Sequence, residues 1–374
     1  MSRSADVFAA IFLCLPALVC AQSDANPVNP TNPAGAAVQA PVLSPRKTPA
    51  PASAPTADAS KGRIDLDVVV TDKAGKAVQG LELKDFTLLD NGQPSKILSF
   101  HAIDATVEAA SHPVEVILLI DGVNLDLQAV ARSREEVGRF LRQNGGRLAQ
   151  PVSIFIFNDD GVKILAQPSM DGNALAAQLD KADSQIRTIN RSSQYGGFDR
   201  FDLSLKWMNV VAESEAKRPG RKLLIWAGSG WPLLDGVRVQ ISQKGQQELF
   251  NRIVDLSTTL REAHMSLYSV TLGQPGLSTF LYQDYLKGVK TAEKANAPNL
   301  GLKVLAVQSG GRVLGPDNDT AAQITDAIRD ASAFYTLSFD PPKADRANEY
   351  HDLKVQIDQP GLTARTSTGY YNQP

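Results

Sequence analysis

Between Val114 and Asp121 the chain is apolar at almost every position, and Val116-Ile117-Leu118-Leu119-Ile120 is unbroken. A strand turns alternate side chains to opposite faces, so such a run is a strand covered on both faces, as in parallel sheets packed between helices. The sequence after Asp121 completes that pattern. Residues 126 to 144 place Leu127, Val130, Ala131, Val137, Phe140 and Leu141 on one helical stripe. Residues 152 to 158 and 162 to 166 read as strands around Asp159-Asp160-Gly161, and helices follow near 171 to 182 and 199 to 217. A strand at 221 to 227, a helix over 246 to 263 and a strand at 265 to 272 come next. A helix near 299 to 308, a short strand at 312 to 314 and a helix over 319 to 331 close the series. Strands alternating with amphipathic helices predict a doubly wound, mostly parallel α/β sheet over residues 113 to 331.

On both sides of that segment the period changes to two. Ile64, Leu66, Val68 and Val70 alternate with Asp65, Asp67 and Thr71 before a turn at Asp72 to Lys76. Phe86-Thr87-Leu88-Leu89 and Ile97-Leu98-Ser99-Phe100 read as a hairpin joined through Asp90-Asn91-Gly92, because Asn-Gly suits positive φ. Beyond residue 333, Tyr335, Leu337 and Phe339 alternate, as do Leu353, Val355 and Ile357. Three terminal strands alone make a poor core, so residues 62 to 110 and 333 to 372 are expected to pack as one antiparallel β-sandwich, with the α/β domain inserted between them.

The first 21 residues read as a secretory signal peptide: Arg3, thirteen mostly apolar residues from Val7 to Val19, then Val19-Cys20-Ala21 as a cleavage site. A lipid on Cys20 would need a small residue before it, where Val19 stands. Both cysteines, Cys14 and Cys20, fall in this segment, so the exported product is expected to lack disulfides, thiolate nucleophiles and Cys-ligated zinc. Residues 22 to 60 hold eight of the 22 prolines and almost no large apolar groups, which predicts a disordered Pro/Ala-rich linker. A net charge of -2 offers no basic excess to hold phosphates, so nucleic acid is not an expected partner. No stretch is long enough to be expected to span a bilayer. The expected location is periplasmic or extracellular.

Three phrases carry a resemblance. They are Val68-Val69-Val70-Thr71-Asp72 with Leu81 to Asp90, the central Ile117 to Asp121, and Phe334-Tyr335-Thr336-Leu337 with Gly369-Tyr370-Tyr371. Together they resemble the von Willebrand factor type A fold, and within it the acidobacterial VWFA-related family of exported proteins, over about residues 62 to 372. The resemblance implies an adhesion or protein-interaction module. It also implies a divalent cation at the carboxyl edge of the sheet, held by Asp-x-Ser-x-Ser, a Thr from a second loop and an Asp from a third. This sequence departs from that pattern at each of the three. The first motif reads Asp121-Gly122-Val123-Asn124-Leu125, the second loop carries Phe198 in Gly196-Gly197-Phe198-Asp199, and the third reads Gly228-Ser229-Gly230. Val and Leu side chains cannot donate to a hard cation, so a degenerate metal site is expected, without metal or cofactor. Asp121, Asn124, Asp199 and Ser229 mark its vestigial face. With Asp126, the last three could rebuild a different oxygen cluster beside Asp121, giving a metal-dependent adhesion module as the alternative reading.

Ser229 follows a strand and invites comparison with a nucleophile elbow, which would make the chain a serine hydrolase. Trp231 stands at the fifth position instead of a small residue, and none of His101, His112, His264 and His351 is close in sequence, so no catalysis is expected. Asp159-Asp160-Gly161 is more simply a hairpin turn than an acidic metal loop, and no phosphate-binding glycine motif is present. Of the aromatics near the carboxyl edge, Trp226 and Phe201 are expected in the core. Tyr195, Phe198 and Trp231 are expected to contact a protein or cell-envelope ligand. Residues 273 to 298 form a long insertion with a short helix expected near 278 to 295.

Overall fold

The computed structural model describes residues 62–104, 113–182, 194–228, 230–231, 242–271, 281–315 and 319–374. The expected leader and linker lie outside the described residues. The chain enters through β1 (Ile64–Thr71), β2 (Phe86–Asp90), β3 (Gln93–Ser95) and β4 (Ser99–Asp104). The central segment follows with β5 (Val114–Asp121), α1 (Leu127–Leu141), β6 (Arg147–Asn158), β7 (Gly161–Ile164), β8 (Ser169–Asp171), α2 (Gly172–Lys181), α3 (Gln194–Ala216) and β9 (Arg221–Ala227). It continues through α4 (Gln243–Glu262), β10 (Met265–Val270), α5 (Leu302–Gln308), β11 (Arg312–Leu314) and α6 (Thr320–Ile328). The tail is β12 (Ala333–Phe339), β13 (Glu349–Ile357), β14 (Thr363–Arg365) and β15 (Gly369–Asn372).

The central sheet runs β11-β10-β9-β5-β6-β7, with β8 also on β6. It is mainly parallel; only β7 and β8 run against β6. Both faces of β5 are covered, as its apolar run requires. Ile117 and Leu119 enter one core with residues of α3, α4 and α5, while Val116, Leu118 and Ile120 enter a second core with residues of α1, α2 and α6. From β5 the chain passes to β6 on one side and later to β9 on the other. Asp121, the last residue of β5, therefore stands where the winding reverses, the place in such sheets where a crevice opens between loops.

Strands from the two ends of the chain pair with each other. β1 lies antiparallel to β12, with Leu66 opposite Leu337 and Val68 opposite Tyr335, and β13 lies between β2 and β15. The resulting four-stranded sheets, β14-β1-β12-β4 and β15-β13-β2-β3, share a core of Ile64, Leu66, Val68, Phe86, Leu88, Tyr335, Leu337, Phe339 and Val355.

Three local expectations need correction. β2 pairs with Gln93–Ser95 rather than with residues 97 to 100. Asn91 and Gly92 both have positive φ, so Asp90 must face Gln93 directly, and the following segment is released to pair as β4 with β12 in the other sheet. α3 begins at Gln194, so Gly196 and Gly197 are helical instead of forming a loop. Glycine costs a helix only about 1 kcal/mol per residue, less than burial of the stripe Phe201, Leu205, Met208 and Ala212 returns. The described part of the insertion holds no α-helix over 282 to 295, only 3-10 turns at Tyr282–Tyr285, Ala292–Lys294 and Ala297–Leu300. It buries Val289, Ala295 and Leu300 in the α3/α4 core, and the Val289 carbonyl accepts from the Tyr371 hydroxyl at 3.1 Å. Gly288 is required there: a Cβ would come within 1.9 Å of the Tyr350 ring.

A polar hub joins the central sheet to β14. Asp330, just after α6, accepts from the Tyr268 hydroxyl of β10 at 2.8 Å and from Arg365 of β14 at 2.7 Å, with the Arg312 guanidinium of β11 at 3.2 Å. The Arg221 guanidinium donates to the Asp330 carbonyl at 2.6 Å and lies over the Phe334 ring.

Candidate functional site

The expected site is built on the loop leaving β5. Asp121 is fully buried, and its carboxylate organises the turn that follows. Oδ1 accepts from the backbone N–H of Val123 at 3.1 Å and of Asn124 at 2.9 Å. The Asn124 amide nitrogen adds contacts of 3.1 Å to Oδ1 and 2.9 Å to Oδ2. The Trp226 indole N–H, from the neighbouring β9, donates to Oδ2 at 3.0 Å. A buried tryptophan needs an acceptor for that N–H, and a buried carboxylate needs donors, so each satisfies the other. Burial raises the Asp121 pKa from its ordinary value, while the hydrogen bonds from Asn124, Trp226 and Val123 act in the opposite direction without outweighing it.

The same network reaches α3. The Asn124 amide also donates to the Ser204 hydroxyl at 2.9 Å, and Ser204 donates to the Arg200 carbonyl four residues earlier at 2.7 Å. Gly228 closes the near side, where a Cβ would approach Asp121 Cβ to 3.1 Å. Val123 and Leu125 are buried in the two cores on either side of the sheet.

The remaining predicted residues separate. Asp126 spends its carboxylate as the N-cap of α1, accepting from the Ala129 N–H at 2.7 Å, so it does not join an oxygen cluster with Asp121. Asp199 is exposed on α3, and the bonds described for Asp121 do not include it. Ser229 and the side chain of Tyr195 lie outside the described residues. Phe198 is 43% exposed in the first turns of α3.

Trp231 corrects the reading of the aromatics. It is only 4% exposed and therefore does not present a ligand-contact face. Its indole N–H donates to the Leu300 carbonyl at 2.9 Å, and its ring packs edge-on against Trp226 with centroids 5.3 Å apart. Trp226 in turn meets Phe157 edge-on at 5.1 Å. Three aromatic rings thus fill the space under the Asp121 loop, and Trp226 and Phe201 lie in the core.

Trp226 and Ser204 are the contacts of the Asp121 loop that sequence reasoning missed. The available signal was the pair of a strand-end carboxylate and a tryptophan one place from the end of another apolar strand, since each requires a buried partner. Asp159 and Asp160 stand at the tip of the β6–β7 hairpin, where Asn158 and Gly161 are paired. Among the described residues, no three His, Cys, Asp or Glu side chains converge to hold a metal ion. No described helix is long and apolar enough to cross a membrane.

No family model matches the sequence, and no curated protein matches it. Among solved structures the fold is similar to the crystal structure of manganese-loaded Plasmodium vivax TRAP protein, at 11% identity and a TM-score of 0.33, covering 75% of this chain and 100% of that one. It is similar also to the SpRpn10 VWA domain, at 9% identity and a TM-score of 0.28, covering 58% and 95% respectively. Scores of this size carry no weight beside the strand order and contacts above.

Proposed function

We propose that this chain is an exported recognition module of the von Willebrand type A kind that binds a protein or cell-envelope ligand without catalysis and without a cation. In this reading residues 1 to 21 are a leader and 22 to 60 a tether. The flanks 62 to 110 and 333 to 372 form one sandwich with the α/β domain of residues 113 to 331 inserted, a division supported by the antiparallel pairing of β1 with β12 and of β2 with β13.

The observation that carries the metal-free reading is the bonding of Asp121. Both carboxylate oxygens face N–H hydrogens, whose partial positive charge repels a cation, and the carboxylate is closed to solvent. The positions that would supply hydroxyls hold buried Val123 and Leu125. A divalent ion needs several oxygen ligands around it, and this donor set does not fit one. The Asp121–Asn124–Trp226 plug takes the place of ionic cross-linking and fixes the rim of the crevice, from which Phe198 projects; Tyr195 and Asp199 belong to the same proposed face.

Pulldown from an envelope fraction with the whole chain, compared with Phe198→Ala, tests the rim, and loss of the captured partner in the variant is expected. Calorimetric titration with Mg²⁺, Mn²⁺ and Ca²⁺ tests the metal-free part, where no binding heat is expected. Heat that disappears in Asp121→Ala would overturn it in favour of a cation-dependent adhesion module.

A further inference from the structure

We infer that Lys222 is a proton-controlled latch where β1 meets the amino edge of the parallel sheet: as a neutral amine it closes that seam, and as an ammonium it loosens it. The seam is remote from the crevice, because Lys222 is the second residue of β9, whereas Asp121 and Trp226 stand at the far ends of β5 and β9.

Lys222 is 2% exposed, yet among the described residues its amine meets one acceptor, the Arg218 carbonyl, and no carboxylate within ion-pair distance. An ammonium carries three N–H groups, and in a dry interior each needs an acceptor. The acidic side chains around it are engaged elsewhere. Glu115 is its direct register partner on β5, but Oε1 of that carboxylate accepts from the Ser153 hydroxyl at 2.6 Å and Oε2 from Arg218 at 2.6 Å. Glu215 of α3 accepts from the same Arg218 nitrogen at 2.9 Å. Asp67 of β1 faces the His264 ring at 3.3 Å. Opposite Lys222 on β10 stands Met265, whose side chain has no oxygen. Arg218 is thus the cation that Glu115 and Glu215 compensate, and a second positive charge beside it is unfavourable.

The charged and titratable groups facing Lys222 are Glu215 and Arg218 at the end of α3, Glu115 of β5, Asp67 of β1 and His264 before β10. Burial is the largest influence on the amine and lowers its pKa from the ordinary 10.5 to about 8; the three carboxylates act in the opposite direction without outweighing it. A folded-state pKa below the unfolded one means that the unfolded chain holds the proton more tightly. The latch is therefore at its loosest below pH 8, and stability rises as pH climbs from 8 to 10.5. Backbone bonds carry the change into the seam. The Lys222 N–H donates to the His264 carbonyl at 2.9 Å, and His264 is the residue whose ring meets Asp67 of β1.

The test follows the lysine ε-carbon resonances of the isotope-labelled full chain through alkaline pH. Lys222 is expected to titrate near pH 8, apart from the exposed lysines, and titration together with them would overturn the latch. Urea unfolding of wild type and Lys222→Met, which keeps the stem and removes the amine, isolates its share from that of His264. The unfolding constant of wild type relative to the variant should fall about tenfold between pH 7 and pH 9, as the two pKa values require; a ratio that does not change with pH would overturn it. Amide exchange then locates the effect. Protection of the Arg221 and Lys222 amides, bonded to the Pro113 and His264 carbonyls, should rise over this interval relative to that of Gly228 at the carboxyl edge, and an equal change at both edges would overturn a latch at this seam. Should Lys222→Met fail to fold, the resonance titration and the amide comparison on wild type decide without it.

Discussion

Asp121 and Asp330 are both buried carboxylates, and the chain keeps them in opposite ways. Asp121 is held by neutral N–H donors, mostly from its own loop, with Trp226 the one donor from another element. Asp330 is held by the Tyr268 hydroxyl and two guanidiniums contributed by β10, β11 and β14. Donors from one loop fix a shape, whereas donors from three elements fix how those elements sit together. The carboxylate at the crevice therefore preserves a local surface, and the one at the junction ties β14 to the parallel sheet.

The sharpest way to break this contrast is Asp330→Ala, which strands Arg365, Arg312 and Tyr268 around an uncompensated site. We expect a loss of ~3–5 kcal/mol in urea unfolding; a loss below ~1 kcal/mol would erase the distinction. Asp121→Ala should cost less, up to about 3 kcal/mol, because it leaves neutral donors unsatisfied. The same variant should leave the Arg365 contacts intact by NMR. Trp226→Phe removes one donor and keeps most of the ring, so about 1.5 kcal/mol is expected, together with changed exchange rates for the Val123 and Asn124 amides.

The smallest expected effect is a pH dependence at another cross-element contact. His264 has positive φ and its ring lies 3.3 Å from Asp67 of β1, and the Asp67 charge raises the histidine pKa from its ordinary value of 6.5. A raised folded-state pKa means that the stabilisation is complete below pH 6.5 and is lost as pH rises through the folded value. With the ring partly exposed, the contribution should stay under ~1 kcal/mol. His264→Asn, which tolerates the left-handed backbone, should flatten the stability profile in that window; an unchanged profile would remove His264 as its source.

The central architecture was legible because it is written in local periods. The apolar run of β5, the stripe of α1 and the alternation in β1 each declare their element without reference to distant residues. The Asp159-Asp160-Gly161 hairpin was legible for the same reason. The destination of β4 was not, since residues 97 to 100 carry no mark saying which sheet they join; that is decided by the two-residue turn at Asn91-Gly92 and by the arrival of β12. At the site, the apolar Val123 and Leu125 after Asp121 could be read directly, but the contacts of the Asp121 carboxylate could not. Trp226 looks like an ordinary strand residue until its indole is placed beside Asp121, and Trp231 looks like a rim residue until Leu300 is found to accept its N–H.

The pairing of β1 with β12 also sets a schedule for biosynthesis. The Leu81 N–H bonds to the Tyr335 hydroxyl 254 residues downstream, and the strand beside it finds its neighbour only when that region has been made. At ~5–20 residues per second, the first strands emerge from the ribosome tens of seconds before their partners. During that interval β1 has neither of its neighbours β12 and β14, and its open edges are available to pair with another molecule until the tail of the chain arrives.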